Sequence, residues 1–195
     1  MRELALHILD VVENGITAGA DRIAIRVEES LKADRLEITV QDNGRGMPSE
    51  KANHPEDPFI TTRTTRRVGL GLSLLAAAAR RCEGDLTVAS QPGRGTEVVA
   101  RFRHGHIDRA PLGDVAATLA MLIIGNPHID FVYAHTVDED EFSLDTRELS
   151  DGGADLSDPG TIRQVEKWIR DTLATIRRNP GKTGTEEIGN AQADD

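Results

Sequence analysis

The chain has one cysteine, few aromatic residues and no long apolar run. Cys82 alone cannot close an intramolecular disulfide or hold a zinc cluster. Aromatic residues make up only 3% of the 195 residues, which argues against a base-stacking nucleic-acid surface and predicts an aliphatic core. The longest apolar run, residues 115–124, is well short of the roughly 20 residues that span a bilayer. It indicates a buried helix instead.

Basic charge is also scarce. The chain has 23 Lys and Arg against 33 Asp and Glu, which gives a formal net charge of −10. A general nucleic-acid binder needs a basic face to neutralise phosphates, so no nucleic-acid partner is expected. The first nine residues include Arg2 and Glu3 but no long apolar segment, so they do not read as a signal peptide. We therefore expect a cytoplasmic protein with no membrane partner.

Three parts with different patterns follow one another along the chain. Residues 1–103 alternate between helical and strand patterns and predict one α/β domain. Residues 104–178 predict a smaller accessory unit with the order helix, strand, strand, helix. Residues 179–195 have no apolar period and predict a disordered tail.

In the first part, apolar periodicity predicts two helices and four strands. These elements cover residues 3–17, 23–27, 36–40, 69–82, 86–90 and 97–103. Residues 49–68 are polar, rich in Thr and Arg, and without a pattern. A loop of this length inside a compact domain is typical of a functional lid.

In the second part, the predicted elements cover residues 112–124, 129–136, 141–146 and 161–176, with Asp108 as the cap of the first helix. An acidic linker precedes the last helix. That helix is amphipathic and carries an apolar stripe with Trp168 beside it. Such a stripe favours core packing first and a dimer or partner surface second, so a homodimer is one expectation.

Oxygen-bearing side chains and glycines recur at the ends of the predicted elements. The first helix carries Asp10, Glu13 and Asn14 opposite its apolar face, and such oxygens suit Mg²⁺. The second strand ends at Asp42, a buried hydrogen-bond acceptor, and two glycines follow it at spacings of two and four residues. Glycines at these positions let the backbone approach a flat ligand closely.

The long loop supplies positive charge. It carries Arg63, Arg66 and Arg67 and leads into Gly69 and Gly71 at the start of a helix, which is a ready anion site. An acceptor for a purine, an amide for a metal and a phosphate site together indicate a nucleoside triphosphate with Mg²⁺.

Five motifs in this order resemble those of the Bergerat-fold (GHKL) ATPases, which include gyrase B subunits, the large heat-shock chaperone, histidine kinases and MutL. They are residues 12–20 (N box), 42–47 (first glycine box), 57–63 (F box), 69–73 (second glycine box) and 93–96 (last glycine box). The resemblance covers about half the chain. It implies an α+β two-layer sandwich with a mixed sheet and helices on one face, and ATP and Mg²⁺ as cofactors.

The resemblance also implies roles for individual residues. Asn14 would ligate Mg²⁺, and Asp42 would accept the adenine amino group. Thr96 would support adenine through a water. The remaining nucleotide-binding candidates are Gly44, Gly46 and Met47 near the base, and Arg63, Gly69, Leu70, Gly71 and Leu72 near the phosphates.

The position of the catalytic base departs from the family pattern. Members that hydrolyse ATP place a glutamate one helical turn before the metal asparagine, whereas this chain has Asp10 there. Asp10 remains the first candidate for the base although it is one methylene shorter. Glu13 is the second candidate.

The motifs favour a kinase or an ATPase. The F box and the second glycine box look most like those of histidine kinases, and this resemblance implies a regulatory kinase that transfers the γ-phosphoryl to a protein partner or to its own histidine. His106, followed by Arg109, Pro111 and Leu112, resembles a phosphoacceptor box and makes His106 a candidate acceptor. The N box looks more like that of MutL, so a slow conformational ATPase is an alternative. A non-catalytic ATP sensor is another, which the shorter Asp10 favours.

Overall fold

A computed structural model describes residues 3–48 and 70–178. In chain order the elements are α1 (Leu4–Thr17), β1 (Arg22–Ser30), β2 (Arg35–Asp42), α2 (Leu70–Arg81), β3 (Leu86–Gln91), β4 (Gly95–Arg103), α3 (Val115–Gly125), β5 (Asp130–Val137), β6 (Asp140–Asp145), α4 (Thr146–Asp151) and α5 (Pro159–Arg178). The predicted lid, residues 49–68, and the predicted tail, residues 179–195, lie outside the described residues.

The six strands form one mixed sheet in the order β3-β4-β2-β1-β5-β6. Strand β1 pairs in parallel with β5, and all other neighbouring pairs are antiparallel. The register places Ile23 opposite both Asp42 and Phe131. The predicted mixed sheet with helices packed on it is therefore confirmed.

The core is aliphatic, as the composition predicts. Strands β1, β2 and β5 bury alternate residues, because successive side chains of a strand point to opposite faces of the sheet. Helix α1 contributes Leu4, Ile8, Val11 and Val12 to this buried layer. Cys82 is buried among the same residues, as an inert apolar side chain would be.

Residues beyond 103 extend the same sheet. Strands β5 and β6 continue it past β1, and α3 packs between α1 and α5. The predicted order of helix, two strands and helix is confirmed, with the short helix α4 added. One set of mutually packed buried side chains runs through both parts of the chain. The division at residue 103 stays a prediction about independent folding.

The start of α3 corrects the sequence prediction. The helix begins at Val115 rather than Leu112, because the carbonyl oxygens of Pro111 and Leu112 accept hydrogen bonds from the backbone of residues 4 and 5. Asp114, not Asp108, caps the helix, and its side chain accepts a hydrogen bond from Ala117 N at 3.0 Å.

A second correction concerns the segment after β6. The sequence predicted a strand up to residue 146 and then a linker. The structure instead has the helix α4 there, because the Asp145 carboxylate caps its first turn by accepting from Arg147 N at 2.9 Å. The buried Thr146 hydroxyl accepts from Phe131 N at 2.8 Å and ties this helix to β5.

A buried polar cluster joins α5 to the far end of the sheet. The Glu29 carboxylate accepts hydrogen bonds from His135 Nε2 at 2.8 Å, from Arg177 at 2.8 Å and from His104 Nε2 at 3.0 Å. The Tyr133 hydroxyl lies 2.6 Å from His135 Nδ1. A neutral His135 with its hydrogen on Nε2 satisfies both contacts, since Nδ1 then accepts from Tyr133.

Burial and pairing act in opposite directions on this cluster. Burial is the largest influence on the pKa of Glu29 and would raise it, but the bonds to His135 and His104 and the charge of Arg177 together hold that pKa well below its usual range. Burial lowers the pKa of His135 although Glu29 opposes the shift. The cluster therefore holds an anionic Glu29 beside a neutral His135.

Within the described part of the chain, no helix is both long enough and apolar enough to cross a membrane.

Candidate functional site

Asp42 lies at the end of β2 and is half-buried. Its Oδ1 accepts a hydrogen bond from Gly44 N at 2.8 Å. Burial raises the pKa of the Asp42 carboxyl, while the backbone N–H groups of Gly44 and Thr96 partly offset this by stabilising the anion. The site thus contains a desolvated acceptor held in a fixed orientation.

Helix α1 approaches this carboxylate closely at Gly15. A β-carbon on Gly15 would lie 2.9 Å from Cβ and 3.3 Å from Oδ2 of Asp42, so the helix can pack here only without a side chain. Gly15 is part of the predicted N box, but no individual role was predicted for it. Its position in a helix interior, where glycine costs about 1 kcal/mol relative to alanine, could have indicated a close packing contact.

Two further glycines allow backbone segments to pack against each other below Asp42. Gly46 has φ +63°, and a β-carbon there would lie 2.0 Å from the carbonyl oxygen of Gln91. Gly95 has φ +92°, and its β-carbon would lie 1.9 Å from the carbonyl oxygen of Asp42. The first and last glycine boxes therefore meet in space, as the nucleotide-site prediction requires.

Ser90 is a buried residue that the sequence analysis missed. Its Oγ lies 2.9 Å from Met47 N and 2.9 Å from Thr96 Oγ1. It thereby joins the first glycine box to β4. Only its alternation with Val88 on one face of a strand could have indicated it, and that pattern is equally typical of a core position.

An open cavity of about 420 Å³ lies beside these residues. Its walls include Asp42, Ser90 and Thr96 from three neighbouring strands, together with Gln91 at the end of β3 and Arg94 in the β3–β4 turn. Strand pairing brings the predicted base-binding residues Asp42 and Thr96 directly opposite each other.

The polar face of α1 lies beside the first turn of α2. A β-carbon on Gly71 would lie 3.2 Å from Cβ of Asp10, so the carboxylate of Asp10 is next to the positive end of a helix. Asp10 is half-buried, whereas Glu13 and Asn14 are exposed. Leu72 packs against the core. The carboxylate of Asp10 and the predicted phosphate-binding turn at Gly71 are thus neighbours.

His106 is not brought to this site. Strand β4 begins beside Asp42 and ends with Arg103 opposite Arg35, so His106 lies past the other end of the sheet. The seven-residue span from Thr96 to Arg103 corresponds to about 23 Å of strand. His106 Nδ1 accepts from Asp108 N at 3.1 Å, and its side chain is 15% exposed.

Several predicted residues lie outside the described part of the chain. Arg63, Arg66, Arg67 and Gly69 are among them, and Leu70 is described only as the first residue of α2. Among the described residues, no group of three or more His, Cys, Asp or Glu side chains is arranged to hold a metal ion.

The mixed sheet, with the first and last glycine boxes meeting beside Asp42, is the arrangement that the predicted Bergerat resemblance implies. Residues 2–106 match the family described as histidine kinase-, DNA gyrase B- and HSP90-like ATPases. This match covers more than half of the chain, so the chain belongs to that family and the predicted resemblance is confirmed.

Curated relatives include two bacterial kinases. The chain is 42% identical over 89 residues to the sensor protein kinase FleS of Pseudomonas aeruginosa, which is 46% of this chain and 22% of that protein. It is 30% identical over 94 residues to sporulation kinase C of Bacillus subtilis, which is 48% of this chain and 22% of that protein. The chain therefore spans about a fifth of the length of these relatives.

A solved structure shares the fold. The N-terminal domain of a DNA repair protein matches with a TM-score of 0.51 and 17% identity, covering 74% of this chain and 52% of that one. Because the covered share is larger than residues 1–103, the likeness extends beyond residue 103.

Proposed function

We propose that this chain binds Mg²⁺ and ATP at the Asp42 site and acts as a regulatory kinase that transfers the γ-phosphoryl to a protein partner. The observation that carries the proposal is the placement of the Asp42 carboxylate. It is held by Gly44 N at 2.8 Å, packed against Gly15 of α1, and open to the cavity beside Thr96. A fixed anionic acceptor of this kind suits an exocyclic amino group on a base.

The phosphates would extend from this base site towards the first turn of α2. Gly71 is in that turn and lies against Asp10. The unpaired N–H groups of a helix N-terminus attract phosphate oxygens. The polar face of α1 lies beside this turn of α2. The base would therefore bind near Asp42, and the phosphates would bind between α1 and the start of α2.

The residues present fit a magnesium ion. The exposed amide of Asn14 offers an oxygen atom on the polar face of α1, and Mg²⁺ is usually held by one or two protein oxygens together with substrate phosphates. The small number of protein ligands agrees with that mode. When bound, the ion would neutralise charge on the phosphates.

Asp10 is the residue that we propose as the proton acceptor during transfer. In a kinase reaction the acceptor atom bonds to the γ-phosphorus, ADP leaves, and the proton of the acceptor passes to the carboxylate. Asp10 fits this role better than Glu13, because it is half-buried beside α2 whereas Glu13 is exposed.

The acceptor would come from another molecule. His106 of the same chain lies about 23 Å or more along the sheet from the Asp42 end. The similarity to sensor and sporulation kinases favours phosphoryl transfer to protein, although the chain spans only about a fifth of their length. An acceptor protein is therefore the expected partner.

The first test is calorimetric titration of the full chain with ATP and Mg²⁺. We expect Asp42→Asn to abolish binding, and Asp85→Asn to leave it unchanged. Asp85 is the matched control because it precedes β3 at the opposite end of the sheet and is 56% exposed. Normal binding by Asp42→Asn would overturn the assigned site.

The second test follows the γ-phosphoryl. The full chain is incubated with γ-labelled ATP and a bacterial protein extract, and labelled protein and free phosphate are measured together. A labelled protein that disappears with Asp42→Asn supports the kinase. Steady phosphate release without labelled protein favours the conformational ATPase, and tight binding without either product favours the sensor.

A further inference from the structure

The hydroxyl group of Ser90 contacts three chain segments at once. Strand pairing places Ser90 opposite Thr96. Its Oγ lies 2.9 Å from Met47 N, 2.9 Å from the Gly95 carbonyl oxygen and 2.9 Å from Thr96 Oγ1. A serine hydroxyl has one hydrogen to donate and two lone pairs. The three contacts therefore use all of its hydrogen-bonding capacity.

The chemistry of two partners determines the role of the third. The Gly95 carbonyl can only accept, so Ser90 donates its hydrogen to it. The Met47 N–H can only donate, so it occupies one lone pair of Ser90. The contact with Thr96 is then a hydrogen bond only when the Thr96 hydroxyl donates. The hydrogen of Thr96 is therefore directed at Ser90, and its oxygen has only lone pairs left for a ligand.

Thr96 and Asp42 present their acceptors side by side. They are cross-strand partners in β4 and β2, and both line the cavity of about 420 Å³. An ionised carboxylate also only accepts hydrogen bonds. On this part of the cavity wall, the Asp42 and Thr96 side chains therefore match a group that donates a hydrogen bond, and they disfavour a carbonyl oxygen.

We infer that Ser90 is a positioning residue for base selection. By holding the Thr96 hydroxyl as an acceptor, it makes the wall complementary to the amino group of a 6-aminopurine nucleotide and unfavourable for the carbonyl of a 6-oxopurine nucleotide. This role of Ser90 rests on the proposed nucleotide site, in which Ser90 would determine that Thr96 accepts rather than donates a hydrogen bond. Without Ser90, the Thr96 hydroxyl could rotate and donate to a 6-oxo group.

The test compares the binding of ATP and of inosine triphosphate, each with Mg²⁺, to the full chain. Wild type is expected to prefer ATP. In Ser90→Ala this preference should fall by about five- to tenfold, which corresponds to one ordinary hydrogen bond. Thr96→Val should lower the preference by a similar factor, because it removes the acceptor itself.

The double variant separates positioning from a general structural role. If Ser90 acts through Thr96, Ser90→Ala should have no further effect on the preference in the Thr96→Val background. An equal additional loss in that background would overturn the inference, because Ser90 would then act through Met47 or Gly95. An unchanged preference in Ser90→Ala would overturn it as well.

Two controls keep the result interpretable. If Ser90→Ala does not fold, judged by its thermal unfolding, Ser90→Cys supplies the same comparison with a side chain of similar size and weaker hydrogen bonding. Failure of the wild type to bind ATP would refute the nucleotide site as a whole. If the wild type binds ATP, the effect of Ser90→Ala on the preference for ATP over inosine triphosphate tests the role of Ser90 separately from the nucleotide site.

Discussion

Gly15 of α1 packs directly against the carboxylate of Asp42, at a place where a β-carbon would come within 2.9 Å of Asp42 Cβ. The contact joins the helix that carries Asp10 and Asn14 to the strand that carries Asp42, the proposed base-binding acceptor. The distance between the proposed metal-binding and base-binding residues therefore depends on this one backbone contact. A small change at residue 15 should disturb both sides.

We predict that Gly15→Ala weakens ATP binding on the order of tenfold or more, because the added methyl group must displace Asp42 or α1. It should also lower the free energy of unfolding by about 1–3 kcal/mol through overpacking. Calorimetry and urea unfolding measure the two effects. Gly125→Ala is the matched control, since a β-carbon there meets no heavy atom within 4 Å. Unchanged affinity in Gly15→Ala would show that the contact does not set the site.

The two candidate bases on α1 should differ in their effect on turnover. Asp10→Asn is expected to leave ATP binding intact and to reduce phosphate transfer or release by about 100-fold or more, because a proton acceptor is lost. Glu13→Gln should reduce the same rate by much less, since its side chain is exposed. Single-turnover rates at saturating ATP measure this. A larger loss in Glu13→Gln would reverse the assignment.

Stability should fall as the pH is lowered from 8 to 6. Burial lowers the pKa of both His7 and His135, so the folded chain binds fewer protons than the unfolded chain near the ordinary histidine pKa of about 6.5. Unfolding therefore takes up protons, and acid favours it. His7 Nδ1 is buried and has no hydrogen-bond partner among the described residues, so His7→Leu should be tolerated.

Thermal unfolding midpoints at pH 8 and pH 6 test this account. The midpoint of wild type should drop between the two values, and that of His7→Leu should drop less. His128→Gln is the control because His128 is exposed, and it should keep the wild-type difference. An identical drop in all three proteins would assign the pH effect to other groups.

Ending the chain after residue 106 should prevent stable folding. Strand β1 would lose its partner β5 along eight paired residues, which exposes an unpaired edge next to the apolar core. We expect the short chain to aggregate or to melt without a sharp transition. A chain ended after residue 178 is the control and should melt like the full chain. Cooperative melting with ATP binding in the short chain would establish residues 1–103 as an independent domain.

Patterns within short stretches of sequence predicted most of the helices and strands, and they located Asp42 and the glycine turn of the candidate site. Apolar periodicity located α1 and the strands, and the glycine spacing located Asp42 and its turn, because both depend on residues close in sequence. The parallel pairing of β1 with β5 was not predicted, since nothing near residue 22 encodes a partner near residue 130. The start of α3 was misplaced for the same reason, because the backbone of residues 4 and 5 pairs with residues 111 and 112. Ser90 was missed because its role exists only once β3 lies beside β4.

The pairing of β1 with β5 also bears on synthesis of the chain. A ribosome adds about 5–20 residues per second, and more than 100 residues separate the two strands. The segment that carries Asp42 therefore emerges on the order of 5–20 seconds before the strand that completes its sheet. During that interval one side of β1 is open to pairing with other chains. The nascent protein thus has an open strand edge even after its last motif, residues 93–96, has been made and until β5 follows.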